Sequence, residues 1–496
     1  MNRKSIIISL LAVFLLPLAS LRAQDIMSLY FMETIPQLSR INPAMQPRAN
    51  VYVALPSTSF TFRSDLGVRD FLQKNGSERV TPVDANFDYN KFNRRMGKSW
   101  NIDMGMDVTP IGFGFRTKRN GYFTFNISVK TDMRNDIPAH LFKLTETGIK
   151  GSLNLSTLRQ KTIAYKQISI GYSRELNDRL TLGANVRPLF GLAAISTDLR
   201  KFDINFNKEQ WNFALEGDVY VSGPLDVTPT ANNDFPKYEL RDIDGDVGID
   251  YAKSFSNPGI AVDLGAVYKL TNRLTLSAAL NNLGLIFWGN DLHNISGSGS
   301  FDFRGVEMND PDQNWDTYFD DLGKQFETAL NYETGTGKSF TTSLTPQVYL
   351  GAEYELTQAL SVGLLSRSLL LLNGIHQEFN LSANIQPYRR GAFNINVTQN
   401  IRGGTYAGFG GTFYLGPLQI YLLSDFPILR VSYVSTNKDG SIPEHGRFFR
   451  GSDLENFGLN GGIIPLPERF KGMSFMAGVN LVFGKKGFRN RPMLDR

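Results

Sequence analysis

The side chains of this 496-residue sequence that could carry catalysis are few and scattered. Its four histidines, His140, His293, His376 and His445, fall in stretches that read as loops, with no spacing that would let imidazoles grip a metal together. Asp242, Asp244 and Asp246 are spaced like the start of a calcium loop, with Asp250 nearby. However, Val247 stands where such a loop needs glycine, and Lys253 where it needs glutamate. Gly335-Thr336-Gly337-Lys338-Ser339 ends like a phosphate loop, but Tyr332 takes the place of the first glycine. Both read as solvated loops. No motif brings a serine, a histidine and an orienting acid together. The expectation is a protein that is not an enzyme and has no metal site and no cofactor.

A second set of ionic residues is more informative. Lys130, Lys166, Arg174, Arg187, Asp263, Lys269, Glu353, Glu355 and Glu378 sit among Asn, Ser and Thr in stretches where every other residue is apolar. A charge facing hydrocarbon costs about 2–4 kcal/mol near a bilayer midplane. These side chains are therefore expected to face a lumen. Mixed charge there suits either a hydrated solute path or a salt-bridged network that closes it.

The elements that would position them are strands. In Gly259–Phe287, Ile260, Val262, Leu264, Ala266, Tyr268 and Leu270 alternate with Asp263, Gly265 and Lys269. After Thr271-Asn272-Arg273, Leu274, Leu276, Ala278 and Leu280 alternate with Thr275, Ser277, Ala279 and Asn281. Period two is the strand period, and arms of about 11 residues suit a tilted strand crossing a bilayer. The pattern recurs in fourteen segments between residues 51 and 483. An all-β, transmembrane, antiparallel up-and-down barrel of about fourteen strands is expected. Six short connections, 118–121, 176–179, 271–273, 357–359, 388–391 and 416–417, follow even-numbered strands. The long ones, 63–101, 132–161, 191–258, 288–342 and 435–472, follow odd-numbered strands. This sorting predicts short periplasmic turns and long extracellular loops. Within the loops, a short helix is expected at Pro138–Leu144, a hairpin at Trp211–Val221, and a helical stripe at Trp315, Phe319, Leu322, Phe326 and Leu330. Leu176–Leu180, Leu270–Leu274 and Leu356–Leu360 repeat one turn pattern. Tyr172, Tyr268 and Tyr354 precede these turns, where an interfacial aromatic girdle belongs. Charging Leu264 is expected to disturb assembly, whereas a charge at Ser277 is expected to be tolerated.

The start reads as a signal peptide over residues 1–23, with Arg3 and Lys4 before the apolar run Ile6–Leu16 and cleavage before Gln24. Residues 24–50 follow as a plug or lid, then the barrel over 51–483 and a basic tail over 484–496. With no cysteine, a lipid anchor and disulfides are excluded. No apolar run after Gln24 is long enough for a spanning helix. The net charge of +5 is dispersed, and its clusters lie at turns and the tail, so no nucleic-acid partner is expected.

At Tyr30-Phe31 and Asn42-Pro43-Ala44, followed by the strand series, the chain resembles a Bacteroidota outer-membrane barrel family of unknown function. More distantly it is similar to long-chain fatty acid transporter barrels and the PorV-like barrels of type IX secretion. The resemblance implies a fourteen-stranded wall with an N-terminal segment inside or capping it. It implies location in the outer membrane, with the lipid bilayer and the insertion machinery as partners. Its leading functional expectation is passive conduction or import of a small solute, amphipathic solutes included. The alternative is a non-transporting docking platform for a secreted or surface protein. Two departures stand: Phe483 is followed by a basic tail where such barrels end on an aromatic, and no ligand-binding residue of the fatty acid transporters can be matched.

Overall fold

The wall is built from fourteen strands in chain order, seen in a computed structural model. The structure describes residues 26–71, 73–75, 78–80, 86–97, 99–139, 141, 151–206, 210–228, 237–240, 255–303, 333–371, 374–388, 391–401, 404–427, 431–435, 463–467 and 471–485. The strands are β1 (Ala49–Ser64), β2 (Ser99–Arg116), β3 (Gly121–Pro138), β4 (Arg159–Glu175), β5 (Leu180–Phe206), β6 (Pro258–Lys269) and β7 (Leu274–Trp288). They continue as β8 (Gln347–Glu355), β9 (Leu360–Leu371), β10 (Gly374–Tyr388), β11 (Gly391–Asn400), β12 (Thr405–Leu415), β13 (Leu418–Pro427) and β14 (Gly472–Lys485). Each pairs antiparallel with the next, and β14 returns to β1 with Phe483 opposite Val51 and Met473 opposite Phe62. The sheet is closed and its wall has no free edge, which an isolated sheet in hydrocarbon could not tolerate.

Alternation decides which face meets which medium. Leu264 and Ile395 are 47% and 58% exposed on the outer face, while their neighbours Asp263 and Asn394 are buried inside. At about 3.3 Å per residue and a tilt of about 40°, ten residues rise about 25 Å, the height of a hydrocarbon band. On β10 the exposed apolar positions Ile375, Phe379 and Leu381 fit that span. Where parity changes, the backbone bulges. Both β1 and β2 shift at their prolines, Pro56 and Pro110, and β7 shifts at Asn282, which has φ 63°.

The turn end holds all six predicted short connections. The repeated Leu turns share one construction: Leu176, Leu270 and Leu356 donate to Leu180, Leu274 and Leu360 carbonyls at 2.8, 2.9 and 3.0 Å. In each, a side-chain oxygen of Asn177, Thr271 or Thr357 accepts the amide of the closing leucine. The loop end departs from the expected sorting, because β9–β10 and β11–β12 are also joined by short links, 372–373 and 401–404. Several strands also outrun their apolar pattern. β3 continues to Pro138, and helical turn follows at Ala139 and Leu141, within the stretch where a short helix is expected; residues 140 and 142–144 lie outside the described set. β5 runs for 27 residues, and its far half pairs with Trp211–Ser222, which pairs in turn with His293–Phe303. In place of the expected hairpin, Trp211–Ser222 is one continuous strand of a sheet that rises beyond the band. The stripe at Trp315–Leu330, the acidic residues 242–250, the expected signal peptide and the tail beyond Lys485 lie outside the described residues.

The first long connection folds back on the outer face of the wall. Its helix α1 (Tyr89–Met96) starts at Asp88, whose side chain accepts the Lys91 amide at 2.9 Å, and stops at Gly97, which has φ 68°. Phe92 and Met96 pack with Trp100, Ile102 and Ile137 in a small core of their own.

Candidate functional site

The lumen is the candidate site, and its main occupant is the chain's own N-terminal segment. Residues 26–48 touch strands on every side of the ring, which is possible only from within. Ser28 bonds to Asp425 of β13, which also accepts the Met27 amide at 3.0 Å, and Asn396 of β11 donates to the Ser28 hydroxyl at 2.7 Å. Gln37 and Asn480 of β14 exchange bonds of 2.8 and 3.1 Å. Arg40 pairs with Asp107 of β2 and donates to Thr109 at 3.0 Å, and Lys130 of β3 approaches Asp107 at 3.1 Å. At the turn end, Arg116 donates to Gln46 and the Pro47 carbonyl at 2.6 and 2.9 Å.

The two sequence motifs meet each other here. Asn42 Oδ1 accepts the Ala44 amide at 3.0 Å, closing a turn across Pro43, a residue with no N–H to satisfy. Its Nδ2 donates to the Ala278 carbonyl of β7 at 3.2 Å and to the Tyr30 hydroxyl at 3.3 Å. That hydroxyl lies 3.1 Å from Ser277 Oγ, while the Tyr30 ring stacks on Tyr349 with centroids 5.7 Å apart and meets Phe31 edge-on at 5.0 Å. Burial raises the Tyr30 hydroxyl above its ordinary pKa, with the Ser277 and Asn42 bonds acting the other way. Asn42, Pro43 and Ala44 are all buried.

Wall glycines make the fit possible. A Cβ at Gly183 of β5 would collide with the Pro43 backbone, and one at Gly265 of β6 with Asn42 Oδ1 and, at 2.8 Å, the Ala44 amide. Gly351 and Gly363 give the same clearance to Tyr30 and Phe31. Sequence reasoning missed these positions. The available signal was glycine recurring at inward parity, where a strand admits a close backbone approach. Asp107, Asp425, Gln37 and Asn480 were missed as well, although Asp107 shares the polar parity of its strand.

The predicted lumen charges separate into groups. Arg187 and Asp263 are buried and joined at 2.6 Å, with Gln167 and Asn282 as further acceptors for Arg187 at 3.1 and 2.7 Å. The Asn282 amide at the β7 bulge donates to Asp263 at 2.8 Å. Glu378 is also buried, with Arg63 at 3.5 Å, Arg367 at 3.6 Å and a bond from Asn400 at 3.1 Å. Glu353 accepts from Ser361 Oγ at 2.5 Å, and Glu355 is half-buried on the same face of β8. Lys269 has inward parity but is exposed at the turn end.

Lys166 and Arg174 are corrections. Both share the parity of Ile168, Ile170 and Tyr172, and so lie on the outer face; Lys166 sits 5.0 Å from the Phe255 ring and Arg174 is exposed beside the turn. Expecting all ionic side chains inward overrode the period of their own strand. His376 is a second correction, since it is buried in β10 and not in a loop, while His293 begins the strand that pairs with Trp211–Ser222. His140 and His445 lie outside the described residues. Tyr172, Tyr268 and Tyr354 are 47%, 38% and 43% exposed on the outer face near the turns. Ser277 faces inward, but Tyr30 already fills the space before it. A charge there would meet the segment, not open water.

Between the start of the segment and the loop end lies a small cleft lined by Met27, Arg63, Glu378, Tyr406, Asp425 and Ser474. Among the described residues no group of His, Asp or Glu could hold a metal ion.

A closed ring with an apolar outer band and a polar, chain-filled interior defines the class of transmembrane β-barrels. The chain belongs to a family of unknown function, DUF5723, whose model matches residues 43–425. No curated protein matches it. Among solved structures it is similar to a Pseudomonas aeruginosa FadL homologue (10% identity, 94% of this chain and 100% of that chain covered, TM-score 0.45). It is also similar to the Ralstonia pickettii toluene transporter TbuX (9% identity, 91% and 95% covered, TM-score 0.43) and the Pseudomonas putida toluene transporter TodX (10%, 90% and 92%, 0.40).

Proposed function

We propose that the protein lies in the outer membrane and passes a small amphipathic solute through a barrel that its N-terminal segment holds closed. The observation that carries this reading is that the segment is a separate element inside the wall. Residues 26–48 are held by buried apolar packing of Ile26, Tyr30, Phe31 and Ile35 against Tyr349, Leu365 and Leu423, by side-chain hydrogen bonds spread over several strands, and by the Arg40–Asp107 pair. None of these contacts belongs to the backbone ladders that close the ring. A segment held through side chains can be displaced without dismantling the wall. The cleft at its upper end joins Met27 and Tyr406 to Arg63 and Glu378, a lining suited to a molecule with an apolar body and a polar head.

Planar-bilayer conductance of the purified barrel, with and without residues 24–50, tests the proposal. Current should rise on deletion. Silence in both forms, with a protein partner co-purifying, would favour the second reading, a docking platform. That alternative draws support from one feature, the sheet formed by the far half of β5 with Trp211–Ser222 and His293–Phe303, which stands clear of the band.

A further inference from the structure

We infer that helix α1 is a foot that binds the phosphate-bearing headgroups of the outer leaflet, an assignment that rests on the outer-membrane reading above. Three observations converge on it. First, α1 lies outside the barrel. Its Phe92 and Met96 pack on Trp100 and Ile102, which share the outward parity of β2, whereas the intervening Asn101 and Asp103 face the lumen with Asp107. Second, its height is fixed by the strand beneath it. The exposed apolar positions of β2 begin at Phe115 and continue through Phe113 and Ile111. Ten residues above Phe115, about 25 Å at the usual tilt, the strand reaches Gly105. Ile102 therefore stands about 8 Å above the edge of the hydrocarbon band and Trp100 about 13 Å above it, and the helix that covers them stands in and just beyond the headgroup layer.

Third, the helix carries bases on its free side. Lys91 and Arg94 stand one turn apart, away from Phe92 and Met96, and Asp88 is engaged as the cap. Lys91 and Arg94 are exposed, and neither makes an ion pair among the described residues. Apolar residues toward a support and bases away from it are the arrangement of an interfacial helix. Here the apolar side is spent on the barrel, so the basic side is left to meet phosphate. A phosphorylated glycolipid such as lipid A offers two phosphates at this depth, within reach of a lysine and an arginine one turn apart.

The test uses the full-length protein in detergent, with lipid A or phosphatidylcholine as the added lipid and native mass spectrometry as the readout. Wild type should retain lipid A over phosphatidylcholine. Lys91→Glu with Arg94→Glu should lower that retention about tenfold. Lys91→Gln with Arg94→Gln should give an intermediate loss, and heat-modifiable migration on gels should stay unchanged in both. An excess of inorganic phosphate should not displace the lipid. Equal retention by wild type and the charge-reversed protein overturns the inference while leaving the barrel in place, and so does release by free phosphate. Failure of the wild type to enter vesicles would instead remove the membrane reading on which it stands.

Discussion

At Gly265 the wall comes into contact with the Asn42 side chain and the Ala44 amide, so the residue opposite the motif matters as much as the motif. Gly265→Val should overpack this point by about 1–3 kcal/mol and push the segment aside. The expected readout is raised single-channel current from a barrel that still migrates as folded; unchanged current would mean the segment does not rest there. Asp263→Ala leaves Arg187 buried without its partner and should destabilise the protein by about 3–5 kcal/mol, measured by urea unfolding in micelles. Asp263→Asn, which keeps an acceptor for Asn282, should cost less. At this scale the sequence was legible where chemistry is local. Asn42-Pro43-Ala44 announced a turn because a side-chain amide and a proline fold their own backbone. Gly183 and Gly265 showed only as glycines at inward parity, and what they make room for could not be read from them, because it lies well over a hundred residues away in the chain.

Strands were legible wherever one face met apolar surroundings and the other did not. Leu264→Arg should impair assembly by about 2–4 kcal/mol near the midplane, read as loss of the heat-modifiable band. Ser277→Arg should leave the wall intact yet displace Tyr30, so its signature is current and not misfolding. The far half of β5 escaped notice because its alternation weakens once both faces leave the band, and polar side chains then serve either side. That region has its own ionic tie. Burial pushes the Asp218 carboxyl up, but the Ser296 bond at 2.5 Å and Arg200 outweigh it and leave its pKa below the ordinary aspartate value. A depressed carboxylate stabilises the fold above its unfolded pKa of ~3.9 and ceases to do so as pH falls through the folded value. Amide exchange across Trp211–Ser222, corrected for intrinsic rates, should therefore accelerate only in acid, and Asp218→Asn should remove that dependence. Acid acceleration that persists in Asp218→Asn would place the sensitivity elsewhere.

For the molecule as a whole, the segment and the wall are separable in function but not in sequence order. Residues 26–48 lead directly into β1, which starts at the turn end beside the end of β14. The meeting of β1 with β14 also has a consequence for biogenesis. Until the last fourteen residues of the wall, Gly472–Lys485, have been made, the growing sheet presents two bare flanks of unpaired amides and carbonyls. A nascent chain in that condition is adhesive along both sides, and loop-closure entropy over more than four hundred residues delays the event that would cure it. Halting synthesis before Gly472 should yield no smaller barrel, only a sticky, protease-sensitive ribbon.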